Sequence, residues 1–157
     1  MKHVILYLRD SVPAVARTEQ HVAVGRLQAL EAAGVIDKFT VESWPSRITD
    51  GTPETEPALG AYERFIRWAH SHHATMHPGF DSHECHSLYT GLHFTTTVFP
   101  MMCLALHEDN ELTTVYPHAR HGRPMSVNDG IAILESDRNP VAMYRYHASD
   151  RRNPQTP

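Results

Sequence analysis

The apolar positions divide the chain into short blocks, and the spacing within each block predicts its structure. Between His3 and Arg9 the run Val4-Ile5-Leu6-Tyr7-Leu8 predicts a first strand, which Asp10-Ser11-Val12-Pro13 ends with turn-forming residues. From Ala16 to Ala33, apolar side chains return every three or four residues at Ala16, Ala23, Val24, Leu27 and Leu30, with Arg17, Glu19, Gln20, Arg26 and Gln28 elsewhere on the cylinder. That is the stripe of a helix lying on a core. Gly34 stands where a left-handed C-terminal cap belongs. Phe39, Val41 and Ser43 then alternate with Thr40, Glu42 and Trp44 as a second strand, stopped by Pro45.

The acidic, proline-broken stretch from Thr49 to Pro57 predicts a surface loop, and a second helix follows over 57–73. Its face is Tyr62, Phe65, Ile66, Ala69 and His73, and Pro78-Gly79 terminates the segment. Phe80 to His93 has no clean period and reads mostly as loop. Phe94 to Leu106 is a long β-rich run interrupted by Pro100, and Glu108-Asp109-Asn110-Glu111 turns it into Leu112 to Tyr116, a hairpin. Ser126-Val127-Asn128-Asp129 is a capping box with aspartate in place of glutamate, and Val127, Ile131 and Leu134 supply a third helix with its buried stripe. Val141 to His147 predicts one more strand.

The order β-α-β-α-β-β-α predicts one α+β domain over 1–148, a mainly antiparallel sheet with helices on one face, loosely ferredoxin-like, with a flexible polar tail at 149–157. Composition fits this picture. The chain has 157 residues, 41% of them hydrophobic, and a net charge of -4, the profile of a soluble domain with an ordinary core. No apolar run reaches the roughly 18 residues of a membrane span. The early Arg9-Asp10 pair and short apolar stretch do not suit a secretory signal, so the expectation is a cytoplasmic protein with Cys85 and Cys103 as free thiols.

Several segments together resemble a known family. They are the opening V-I-L-Y-L-R-D, Ala33-Gly34-Val35-Ile36-Asp37, Trp44, Tyr89-Thr90-Gly91, Phe99 to Leu106 with the acidic turn after it, Leu112 to Pro117, and the Ser126 helix start. They are similar to a family of small haloarchaeal proteins labelled as helix-turn-helix domain proteins, and the likeness spans most of the chain. It implies a regulator and carries over no catalytic residue. A helix-turn-helix needs two helices joined by a tight turn, the second presenting polar side chains to base edges. The pattern contains no such pair, and only Arg120, Arg123, Arg151 and Arg152 approach a basic patch, so specific DNA binding is not expected.

Histidine is the compositional outlier, with 13 in the chain. The segment from His70 to His86 is the densest, and from it His73, His77, His83, Cys85 and His86 form the candidate metal set. Imidazole and thiolate are ligands for zinc or nickel, and His73 and His77 would share a face if the helix continued that far. The spacing matches no established zinc signature, and the plainer reading is of solvated histidines. Cys103 sits in an apolar run as a core thiol, and Cys85, between Glu84 and His86, is the better placed of the two. There is no Gly-rich phosphate loop, G-x-S-x-G or H-E-x-x-H. The reading is a small non-enzymatic binding or regulatory domain acting through a protein partner or small ligand, with homo-oligomerisation open. The alternatives are a transition-metal-binding or pH-sensing protein and a transcription regulator.

Overall fold

The computed structural model describes residues 1–49 and 56–138. The strand expected at 141–147 and the tail at 149–157 lie outside the described residues, as does most of the acidic loop. The elements are β1 (Lys2–Arg9), α1 (Ala14–Ala32), β2 (Lys38–Trp44), β3 (Arg47–Thr49), α2 (Glu56–Ser71), β4 (Asp81–His86), β5 (His93–Val98), β6 (Met102–Glu108), β7 (Glu111–Tyr116), β8 (His118–Arg120), β9 (Arg123–Met125) and α3 (Val127–Arg138).

Four strands form the central sheet in the order β2-β1-β6-β7. β1 and β2 run parallel, with Val4 opposite Phe39, and α1 makes the crossover between them; β1–β6 and β6–β7 are antiparallel. The protein is therefore α+β with mainly antiparallel pairing. The ferredoxin likeness is loose, because β1 and β2 are direct neighbours.

Local chemistry sets several boundaries. Gly34 (φ 77°) closes α1 with Gly34 N–H donating to the Glu31 carbonyl and Val35 N–H to that of Leu30, both at 3.0 Å, a Schellman cap. Asp109 and Asn110, at φ 52° and 68°, form the two-residue turn whose twist suits the β6–β7 hairpin. At α3, Asp129 N–H donates to Ser126 Oγ (3.1 Å) and Ser126 N–H to Asp129 Oδ2 (2.8 Å), so the capping box is complete.

The helices divide between the two faces of the sheet, where one shared face was expected. Val4, Leu6, Leu104 and Tyr116 pack with Leu27 and Leu30 of α1 and Ile131 and Leu134 of α3. Tyr7, Cys103, Ala105 and Val115 face the other way, onto Phe65 and Trp68 of α2. Strands buried on both faces lose the apolar–polar alternation. The unbroken Val4 to Leu8 and Met102 to Leu106 runs reflect this double burial.

Two further differences concern the middle of the chain. Half of Phe80 to His93 is strand where mostly loop was expected: β4 and β5 form a hairpin and, with β3, a second sheet in the order β3-β5-β4. β4 reads Asp-Ser-His-Glu-Cys-His, polar on both faces, so it offers no period to find. The β-rich run from Phe94 to Leu106 is two strands in different sheets, with Phe99-Pro100-Met101 between them. Proline has no N–H to continue a ladder.

Candidate functional site

The five histidine and cysteine candidates do not converge. α2 ends at Ser71, and His73 takes a left-handed backbone at φ 54°, which breaks the helical register that would have set it beside His77. His77 and His83 both approach Asp81, with His77 Nδ1 3.7 Å from Oδ1 and His83 Nε2 2.9 Å from Oδ2. Cys85, half-buried on β4, has its thiol 3.9 Å from Thr96 Oγ1. His86 lies across from His93 on β5, with ring nitrogens 3.2 Å apart. Among the described residues, no group of three or more His, Cys, Asp or Glu side chains is placed to hold a metal ion. Cys103 is fully buried, and burial pushes its thiol well above the usual range.

The chemistry concentrates instead in a cleft of about 720 Å³ between the end of α2, β7 and the β8–β9 hairpin. Trp68, buried on α2, anchors one wall by donating from Nε1 to the Thr113 carbonyl of β7 at 2.8 Å. The chain beyond α2 is tied to β8 by paired bonds between Thr75 and Ala119, each 2.8 Å. Gly79 fits beneath Pro117 only because it lacks a side chain: a Cβ there would stand 2.5 Å from the proline ring. These contacts hold the hairpin over the helix end.

Two imidazoles flank Trp68. His72 stacks at 5.0 Å and 22°, and His118 meets it edge-on at 5.3 Å and 67°. His72 Nδ1 lies 2.8 Å from the Trp68 carbonyl, and His118 Nδ1 2.6 Å from that of Val115. A carbonyl only accepts, so both Nδ1 atoms carry a proton, and in its neutral form each ring keeps Nε2 as an acceptor. Burial pushes His118 below its ordinary value of 6.5; the Val115 carbonyl opposes this shift, and Arg120 adds to it.

The outer rim is cationic. Arg120 and Arg123 sit directly opposite one another on β8 and β9, joined by a His121-Gly122 turn with φ 53° and 75°. Both are exposed, both line the cleft, and no carboxylate is among the described residues lining it. Like charges placed across a strand pair repel. An anion between the two guanidiniums would relieve that repulsion and accept two forked donors.

Sequence reasoning placed Arg120 and Arg123 near a basic patch but missed Trp68, His72 and His118 as a site. The only local signal was the His121-Gly122 dipeptide, a hairpin-turn pair between two arginines. The meeting of that hairpin with α2 spans residues far apart in the chain.

No helix among the described residues is long and apolar enough to cross a membrane. Neither a curated protein nor a solved structure matches the chain. The sequence model of one family, described as a helix-turn-helix domain, matches residues 1–139, nearly the whole chain. By that match the chain belongs to the helix-turn-helix domain family.

Proposed function

We propose that the chain is a small non-enzymatic regulatory domain that binds an anionic ligand carrying a planar ring in the cleft over Trp68. The observation that carries this reading is the opposed pair Arg120 and Arg123 on the rim of a cleft with no carboxylate among its described lining residues. In a chain of net charge -4, this is a local reversal of sign. At the other end, the Nε2 acceptors of His72 and His118 suit ring N–H or exocyclic amino donors, and the outer face of the stacked His72 suits a flat ring. The volume falls within the roughly 300–1,000 Å³ typical of small-ligand sites. A nucleoside monophosphate combines these features.

Membership of a helix-turn-helix domain family supports the regulatory part of the reading. Direct reading of duplex DNA has less support, because α1 leads into β2 and α2 into β4, so these helices are not joined to a following helix by a turn. Calorimetric titration with adenosine 5′-monophosphate tests the proposal. Saturable binding is expected, weakened at least tenfold for unphosphorylated adenosine and in an Arg120→Ser, Arg123→Ser double variant. Equal binding of both compounds, or none of either, would remove the cleft as an anion site. A sequence-selective duplex complex surviving about 0.2 M salt, where weak electrostatic binding fades, would favour direct DNA recognition instead.

A further inference from the structure

β4 stands at the edge of the second sheet: among the described residues it pairs on one side only, with β5. Sheet edges are commonly blunted by lysine, proline, a bulge or short length. β4 has none of these. Its six residues meet β5 in unbroken register, and Ser82, His83, Glu84 and His86 are exposed, so both faces of the strand reach solvent.

The hairpin fixes which way each backbone group points. Ser87 N–H donates to the Leu92 carbonyl at 2.9 Å, continuing the β4–β5 register by one pair. Bonded and non-bonded pairs alternate along an antiparallel ladder, so His83 and Cys85 share the direction of Ser87, towards β5. Ser82, Glu84 and His86 therefore turn their N–H and C=O groups to the outer edge. Beyond the strand the hairpin tip is apolar, with Leu88, Tyr89 and Leu92 exposed by 92, 100 and 66%. Apolar side chains gathered on one exposed turn mark a contact surface.

A second copy of the same edge is its complement. Two antiparallel edges related by a two-fold axis keep like faces together, so each residue meets one of its own parity. An axis at Glu84 opposes two carboxylates, which is unfavourable. An axis at His83 sets Glu84 against Ser82 and Asp81 against Cys85, matching no charge. An axis at Ser82 sets Asp81 against His83, but Asp81 already holds its own His83 at 2.9 Å, and the pairing runs on into the buried Phe80 and into Gly79 beneath Pro117. An axis at Cys85 sets Glu84 of each copy opposite His86 of the other, both with outward backbone groups. It also brings the apolar tip alongside the start of β4 in the second copy.

We propose that two copies of this chain associate by antiparallel pairing of their β4 edges about Cys85, joining the two outer sheets into one. Glu84 and His86 exchange backbone hydrogen bonds, and the Glu84 carboxylate accepts from the imidazole of the other copy. His86 Nδ1 lies 3.2 Å from His93 Nε2; accepting that bond leaves the proton of His86 on Nε2, for Glu84. The cleft over Trp68 takes no part, since no residue of β4 lines it.

Sedimentation equilibrium of the intact chain, taken up to about 1 mM because small interfaces are weak, should show a monomer–dimer equilibrium. Glu84→Pro removes an N–H that points away from β5 and should weaken the dimer at least tenfold. The Leu88→Ser, Tyr89→Ser double variant leaves β4 intact and should do the same, both variants unfolding cooperatively. The Arg120→Ser, Arg123→Ser chain, altered only at the cleft, should dimerise as wild type does. Cys85 reports the register, because Cys103 is fully buried. Diamide, which takes up the two thiol hydrogens as the S–S bond forms, should link the dimer, and Cys85→Ser should prevent the link. A monomer at every concentration, a dimer unaffected by both edge and tip variants, or a dimer that diamide leaves unlinked would overturn the proposal.

Discussion

Gly130 on α3 lies against the ring of Tyr116 on β7 so closely that a Cβ at residue 130 would stand 2.6 Å from Tyr116 Cδ2. Helix propensity alone favours alanine over glycine by about 1 kcal/mol, whereas overpacking costs about 1–3 kcal/mol. Gly130→Ala should therefore destabilise the fold by about 1 kcal/mol. Gly25, mid-way along α1, has nothing within 4 Å of the corresponding position, so Gly25→Ala should stabilise by up to about 1 kcal/mol. Urea unfolding of the two variants should give midpoints displaced in opposite directions. Displacement in the same direction would mean that α3 does not press on Tyr116.

Leu104 is fully buried, opposite Leu6 on β1 and Tyr116 on β7. Truncation to alanine should cost about 2–5 kcal/mol, read as a lower urea midpoint with unchanged slope. Leu104→Asp places an unpaired charge there and should abolish folding. A soluble, cooperatively melting Leu104→Asp chain would show the core to be elsewhere.

Gln20 is the polar exception on the buried stripe of α1. Its Nε2 donates to the Met101 carbonyl at 2.9 Å and to that of Arg9 at 3.3 Å, pinning the helix to the end of β1 and the corner before β6. Gln20→Ala removes both donors from partly buried carbonyls, and a loss of about 1–3 kcal/mol is expected. Gln20→Leu restores the volume but not the bonds. If it matched wild type in thermal unfolding, packing rather than hydrogen bonding would explain the residue.

His3, His107 and His118 are all held below 6.5, each primarily by burial. For these groups the unfolded chain binds protons more readily than the folded one, so stability is complete above about pH 6.5 and declines as pH falls from there towards the folded-state values. The melting temperature should be level above about pH 7 and drop on acidification towards pH 5, with His118→Gln flattening part of the drop. A melting temperature that rose on acidification through this range would reverse the assigned direction.

Much of the fold was legible because its signals are local. The Schellman glycine at Gly34, the Asp109-Asn110 turn and the Ser126–Asp129 box each act within a few residues, and all three sit at the boundaries the pattern implied. β4 was not legible. Both of its faces are polar and carry no period, and its place depends on pairing with β5.

The sequence by itself determined the α+β class, the spans of α1 and β2, the start of α3 and the turn of the β6–β7 hairpin, since helix stripes, caps and tight turns are written in side chains a few positions apart. Tertiary structure alone decided that α2 takes the face opposite α1 and α3, because placement on a doubly buried sheet depends on which apolar surface each helix can cover. It also decided where chemistry collects. The histidines that crowd together in the chain are dispersed by a helix end and a strand, while Trp68 shares one cleft with His118 and Arg123, far from it in sequence, because the β8–β9 hairpin folds back over α2.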